Sequence, residues 1–379
     1  MSKIAIIGVG SYALGDQYGP GVVIRSIIQY LKLNNIFDPS LVLVYQTEKK
    51  LALVQKEVQK ILSEAQFSLP IEYIQSENFI KESSGEISAA FICVPDEHHL
   101  FYLNFFMDRS VPVWIVKPLT SSFKESKEIF EKSSLTKSLV WIDYHKRFDP
   151  SNRLLKTRIA DGKFGSCSHI HVNYFQPRDL PLETFSWAEG VNVASYIGCH
   201  YIDLMNYLVP SAKPLLVSAV PVKGPVFSSR KIYDAILITI KYDVDGREVI
   251  FTMNVGWSNP LGAPTKSIQN IDLLFEGGRF VVDQAHRGFE EWSDQSISYV
   301  NPDFFQNTFM PGLNISAYDG YGYTSISLFL DSIFKGGADF SISANLSLPL
   351  VQNVYQVELI TDAIKESLDN QSKWVSLCN

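Results

Sequence analysis

Residues Lys3–Gly15, KIAIIGVGSYALG, constrain the fold more than any other stretch of this chain. Lys3–Ile7 reads as a short buried strand, and the chain then turns on Gly8-Val9-Gly10-Ser11-Tyr12-Ala13. This is the G-x-G-x-x-A pattern that lets a strand turn tightly into a helix around a pyrophosphate. Gly8 permits the turn, Gly10 lets the backbone approach the phosphates, and small Ala13 lets the following helix pack on the strand. The helix N-terminus then offers backbone N–H groups to the anion. Gly8, Gly10, Ser11, Tyr12 and Ala13 are therefore the expected dinucleotide contacts.

A chain of 379 residues is long enough for two domains. With 46% hydrophobic and 19% charged residues it can bury sizeable cores. The net charge of −7, without a basic block, argues against nucleic acid or an anionic membrane as the main partner. The N-terminal apolar run is too short for a signal peptide, and no apolar run reaches the roughly eighteen residues of a membrane span. Cys93, Cys167, Cys199 and Cys378 lack metal-type spacing, so they read as reduced thiols of a cytoplasmic protein, with no metal site expected.

Along the first part of the chain, strand and helix patterns alternate. Gly15, Gly19, Pro20 and Gly21 interrupt the first helix as a loop or a break, and an apolar helical pattern resumes over Val22–Leu31. Leu41–Tyr45 is a second strand, followed by Gln46-Thr47-Glu48-Lys49-Lys50. No acidic residue stands directly at that strand end to accept ribose hydroxyls, so NAD and NADP stay equally open, with Gln46 and Thr47 as cofactor contacts. Ile87–Val94, Val111–Val116 and Leu139–Tyr144 are further strands. Residues 1–145 thus predict a doubly wound parallel sheet of the Rossmann type.

From residue 146 to 379 the pattern becomes α+β. Asp149-Pro150 opens a helix that Gly162 stops, with Asp149 as its cap. Strands then dominate, from Cys167–Gln176 to Arg279–Val282, with Asp245-Gly246 as a hairpin turn and one helix over about Asn192–Leu208. The expected second domain is a large, mostly antiparallel open sheet, whose uncovered face suits a homo-oligomer. A last helix over about 350–368 is expected to pack at the domain junction.

GVGSYA, CVPDEHH, VKPL, YHKRFDP and GCHYID occur in this order, the first four at predicted strand ends. In this the chain resembles the glucose–fructose oxidoreductase/inositol dehydrogenase (Gfo/Idh/MocA) family of NAD(P)-dependent oxidoreductases, over nearly its whole length. The resemblance implies hydride transfer between a nicotinamide and a secondary alcohol or ketone carbon of a sugar, polyol or sugar derivative held between the domains. It makes Lys117 of Lys117-Pro118 the residue beside nicotinamide and substrate, although Val116 stands where the family has Glu. An ammonium there can hydrogen-bond the reacting oxygen.

The family's Asp-x-Gly-x-His-x-x-Asp becomes Tyr196-x-Gly198-x-His200-x-x-Asp203. His200 is the acid/base candidate, Tyr196 supports or substitutes, and Asp203 and Gln176 complete the substrate side. Helical spacing places 196, 200 and 203 on one face. Pro95 and His99 are expected on the nicotinamide-ribose side. Arg147 and Asp149 read as a junction ion pair and a helix cap. Tyr196 for Asp and Val116 for Glu keep a second reading open, a dinucleotide- and ligand-binding sensor without turnover; a reductase of an unsaturated substrate such as an imine is a third.

Overall fold

The computed structural model describes residues 2–16, 19–82, 86–185, 188–310, 312, 314–335 and 347–377. The chain forms two compact units, one of Met1–Ser121, Glu125–Phe148 and Asp303–Asn353, the other of Ser122–Lys124, Asp149–Pro302 and Val354–Asn379.

The first unit is built on β1 (Lys3–Ile7), β2 (Ser40–Tyr45), β3 (Ile71–Gln75), β4 (Ile87–Ile92), β5 (Val113–Ile115) and β6 (Val140–Ile142). Their order is β3-β2-β1-β4-β5-β6, and every pair is parallel. Ile4, Ala5, Ile6 and Ile7 are all fully buried, as are Leu41, Leu43 and Ala89–Ile92 in the strands beside them, which is why these segments read as apolar runs rather than alternating ones. β3 escaped the sequence reading because Ile71–Gln75 is an edge strand with polar residues between its apolar ones, and only Ile74 is fully buried. The strand order reverses between β1 and β4, so the turns that follow these two strands flank the point where such sheets bind ligands.

After the turn, α1 (Ser11–Leu14) lasts one turn only. Gly15–Asp16 pairs with Gly19–Pro20, and α2 (Val23–Leu33) resumes the helix, so the expected interruption is a small hairpin. A β-carbon on Gly21 would fall 2.3 Å from the Gly15 nitrogen, and Gly15 itself takes φ 110°, so both glycines are required there. α2 buries every residue from Val23 to Leu31, Arg25 and Gln29 included. Arg25 donates to the Leu14 carbonyl at 2.8 Å, and the Gln29 amide pairs with both backbone groups of Tyr318 at 2.6 Å.

That last contact corrects the expected boundary. Residues 303–353, assigned from sequence to the second domain, return to the first unit. Within them, α8 (Tyr321–Phe334) sets the fully buried Phe329 edge-on to Phe91, with ring centroids 5.3 Å apart, and against Trp141 at 6.4 Å. A helix with an apolar stripe carries no local mark of which core receives it.

The second unit holds β7 (Cys167–Pro177), β8 (Lys213–Val222), β9 (Ala235–Val244), β10 (Arg247–Asn259), β11 (Ile268–Phe275), β12 (Gly278–Asp283) and β13 (Val375–Ser376), ordered β12-β11-β7-β10-β9-β8-β13. Only the β7–β10 pair is parallel; the others are antiparallel. Asp245 and Gly246 both take positive φ, 52° and 82°, as a two-residue hairpin between right-twisted strands demands. Alternation sends Ile170, Val172, Phe251, Met253 and Val255 to the buried face. On the other face Leu237, Leu274 and Val281 are exposed, and an amide ladder runs Asn254–Asn173–Asn270 at 3.0 and 3.1 Å. α6 (Pro150–Ala160), α7 (Cys199–Leu208) and α9 (Val357–Asp369) belong to this unit, and α9 packs along β8 and α7.

Phe329→Ala is expected to destabilise the first unit by about 3–5 kcal/mol, the usual loss for emptying a buried aromatic site. Urea unfolding followed through the tryptophans of that unit measures it; a loss below about 1 kcal/mol would place α8 outside this core.

Candidate functional site

The carboxyl edge of the first sheet gathers the residues of the fingerprint turn. Gly8 takes φ 90°, and a β-carbon there would lie 2.5 Å from the Cys93 carbonyl oxygen at the end of β4. Its amide donates to the Val44 carbonyl of β2 at 3.0 Å, so the turn is tied to both neighbouring strands. Gly10 is different: a β-carbon there would meet no protein atom within 4 Å. Its missing side chain leaves open space above the backbone, as the approach of a pyrophosphate requires. Gly10 and Ser11 are exposed and Ala13 is fully buried. Gln46 and Thr47, after β2, are exposed, while the acid nearest them, Glu48, accepts from the Tyr45 hydroxyl at 2.8 Å.

Tyr12 leaves the fingerprint in an unexpected direction. Its ring stacks on Trp114, and its hydroxyl donates to Asp143 Oδ2 at 2.5 Å. Asp143, just beyond β6, is 2% exposed. The same oxygen meets His145 Nδ1 at 3.1 Å, and Oδ1 accepts from Ser325 of α8 at 2.8 Å. Burial, then the Asp143 carboxylate, hold the Tyr12 phenol far above its ordinary range. Sequence reasoning missed this network, since a Tyr at a variable fingerprint position and an Asp 131 residues later share no local pattern.

Lys117 follows β5, half-buried, with the Lys117–Pro118 peptide bond cis. Pro95 is exposed at the end of β4. His99, expected to face the cofactor, is instead 1% exposed and points into the protein. Its Nδ1 lies 2.9 Å from the Pro118 carbonyl oxygen and 3.2 Å from that of Leu119, and its Nε2 lies 2.9 Å from that of Val94. Burial pulls its pKa below the usual histidine value, against the opposing pull of Asp96 and the three carbonyls. His98 is exposed beside Glu97.

Tyr196, His200, Asp203 and Gln176 all lie in the second unit, whereas Lys117 lies in the first. His200 and Asp203 stand three residues apart on α7, buried to 4% and 0% exposure. Tyr196 is not on that helix. It sits in a π-helical turn, Ala194–Gly198, which widens the spacing and overturns the expected single α-helical face. Its ring packs edge-on against Phe185 at 5.6 Å and tilted against Trp257 at 5.8 Å. Gln176, ending β7, accepts from the Trp257 indole N–H at 3.1 Å. A β-carbon on Gly198 would lie 2.9 Å from Met253 Cε, so the turn rests closely on the sheet.

A second buried network anchors α7. Tyr201 donates to Gln284 Oε1 at 2.5 Å, and Gln284 donates to Asn152 at 2.9 Å and to Asp149 at 3.2 Å. Asp149 caps α6 through the Ser151 amide at 2.9 Å, as expected, and takes Arg287 as an ion-pair partner buried with it. Arg147, read from sequence as a junction ion-pair residue, donates from its guanidinium to the Leu348 carbonyl at 3.1 Å. Cys93, Cys167 and Cys199 are free thiols, and burial raises the first two, Cys167 to about 11; Cys378 lies outside the described residues. Among the described residues no helix is long and apolar enough to cross a membrane.

Comparison with known proteins agrees with this architecture. Residues 152–281 match the model of the GFO/IDH/MocA C-terminal domain. The inositol 2-dehydrogenase of Rhodococcus jostii is 28% identical over 136 residues, 34% of this chain and 37% of that protein. The uncharacterized oxidoreductase YrbE of Bacillus subtilis is 23% identical over 185 residues, 48% of this chain and 52% of its own. The chain thus spans about a third to a half of the curated relatives it matches. Among solved structures, the scyllo-inositol dehydrogenase of Lactobacillus casei with bound NAD(H) and scyllo-inositol superposes with a TM-score of 0.70 at 14% identity, covering 100% of this chain and 99% of that one. The myo-inositol 2-dehydrogenase of Lactobacillus plantarum gives 0.71 at 16% identity, covering 99% of each. At such identities the likeness shows the fold.

The depressed pKa of His99 has a thermodynamic consequence. Folding holds this imidazole neutral while the unfolded chain protonates it normally, so stability is lost as pH falls below about 6.5 toward the folded-state pKa. Denaturation midpoints at pH 7.5 and 5.5 are expected to drop less for His99→Gln than for wild type. Equal drops would mean that His99 does not carry this term.

Proposed function

We propose that this chain is a member of the Gfo/Idh/MocA family, as the match of residues 152–281 supports, and an NAD(P)-dependent oxidoreductase. It moves hydride between the nicotinamide and a secondary alcohol or ketone carbon of a sugar, polyol or sugar derivative. The observation that carries this reading is the carboxyl edge of the first sheet: Gly8 turns where only glycine fits, and Gly10 leaves the open cradle a dinucleotide needs. Lys117 follows a strand of the same edge.

The nicotinamide supplies or accepts the hydride. The chain's own residues do the rest. The Lys117 ammonium hydrogen-bonds the reacting oxygen and stabilises the negative charge that grows there as the hydroxyl proton departs, in oxidation, or as hydride arrives, in reduction. His200 exchanges the hydroxyl proton; an imidazole titrates near neutrality, where a phenol does not. Tyr196 and Asp203 orient the substrate and the imidazole, and Gln176 adds a polar contact on the substrate side. Gly8, Gly10, Ser11, Tyr12, Ala13, Gln46, Thr47 and Pro95 form the cofactor side. Polyols are the first class to try, since two relatives are named as inositol dehydrogenases. NAD(H) is the cofactor named with that second relative. We place the protein in the cytoplasm and the contact between its copies on the exposed face of the second sheet.

One observation favours the alternative, a sensor that binds dinucleotide and ligand without turnover. The family's carboxylate position is Tyr196, and its ring is engaged by Phe185 and Trp257.

Reduction of NAD and of NADP by a panel of inositols, sugars and nucleotide sugars is expected to reveal turnover. Lys117→Ala should lower kcat by roughly 10²–10⁴-fold, the scale of proton and charge stabilisation, with dinucleotide affinity within about threefold, less than one hydrogen bond is worth. Undiminished kcat in the variant would refute the role of Lys117. Tight dinucleotide binding without turnover on any substrate would favour the sensor. For the assembly, light scattering should show an oligomer that Leu237→Asp with Val281→Asp dissociates; an unchanged mass would move the interface elsewhere.

A further inference from the structure

Two turns of the carboxyl edge, one after β4 and one after β5, are joined by a single side chain. His99 begins α4 (His99–Met107) and reaches both. Its Nδ1 faces the carbonyls of Pro118 and Leu119, the two residues that directly follow Lys117. Its Nε2 faces the carbonyl of Val94, which precedes Pro95. A leucine or phenylalanine could fill this volume, but it would strand carbonyls that a buried environment penalises. The histidine therefore does more than fill space: its two ring nitrogens face carbonyls of two different loops.

A neutral imidazole has one N–H, so it donates to one side and merely abuts the other. The two arms are then unequal, and each can be removed separately. With side chains this short and this buried, a shift of the Pro118–Leu119 backbone is passed to Lys117 through one peptide bond. Displacement of a reacting group by about 1 Å can cost about a hundredfold in rate.

We infer that His99 is the positioning residue for Lys117: its Nδ1 arm sets the backbone that presents the lysine, and its Nε2 arm ties that backbone to the cofactor-side turn at Val94-Pro95. The catalytic half of this inference rests on the reading of Lys117 given above. The structural half does not.

Replacement of one arm at a time tests it. Asparagine brings an amide nitrogen close to the place of Nδ1, and glutamine close to that of Nε2. Hydrogen exchange, which needs no substrate, is measured for wild type, His99→Asn and His99→Gln, each with NAD. In His99→Gln, peptides covering 116–121 should exchange roughly tenfold faster, the worth of one lost hydrogen bond, while those covering 93–98 change less. In His99→Asn, which keeps the contact at the place of Nδ1, peptides covering 116–121 should keep their wild-type protection. With myo-inositol and scyllo-inositol as probes, kcat should fall further in the Gln variant than in the Asn variant, at similar NAD affinity.

Equal acceleration of both segments in both variants would reduce His99 to a packing residue and overturn the inference. So would wild-type protection of 116–121 in His99→Gln. If Lys117→Ala leaves turnover intact, the functional reading fails by itself, and the exchange pattern still decides whether the two arms exist.

Discussion

The approach of the turn after β1 to the end of β4 governs the first unit. The Cys93 carbonyl oxygen occupies the place a β-carbon on residue 8 would need, 2.5 Å away, so the two strand ends can stand side by side only over a glycine. That contact brings the fingerprint to the switch point of a sheet ordered β3-β2-β1-β4-β5-β6. Gly10 depends on the same turn: its open flank has value only if Gly8 has already aimed the backbone across the strand ends.

Buried polar groups then hold the surrounding elements in place. Asp143 collects Tyr12 from the fingerprint, Ser325 from α8 and its own neighbour His145, so one carboxylate joins three segments distant in sequence. Asp149 does the same in the second unit, with Ser151, Gln284 and Arg287, and through Gln284 it reaches Tyr201 beside His200. Such groups are expensive to desolvate and add little net stability, but a partner lost from one leaves a buried charge uncompensated. Their contribution is to geometry. The first cluster includes Tyr12 of the fingerprint, and the second reaches the chain neighbour of His200.

Much of this was legible in the chain itself. The apolar runs of β1, β2 and β4 announce strands buried on both faces; Asp245-Gly246 announces a hairpin by its need for positive φ; Asp149-Pro150 announces a helix cap. These signals are local, written within a few residues of the structure they specify. Edge strand β3 and the one-turn length of α1 were less legible, because partial burial blurs the pattern and a glycine-rich stretch allows several paths.

Fold class, the fingerprint turn and the identity of the candidate residues were thus determined by sequence alone, through the conformational limits of glycine and proline and the periodicity of apolar side chains. Tertiary structure decided what those residues touch. It returned 303–353 to the first unit, turned Tyr196 out of the α-helix into a π-helical turn, and buried His99 between two loops. In each case the deciding contact joins groups far apart in the chain or depends on the packing around a helix end. Local propensity cannot specify such contacts, because their energy exists only once the partner is in place.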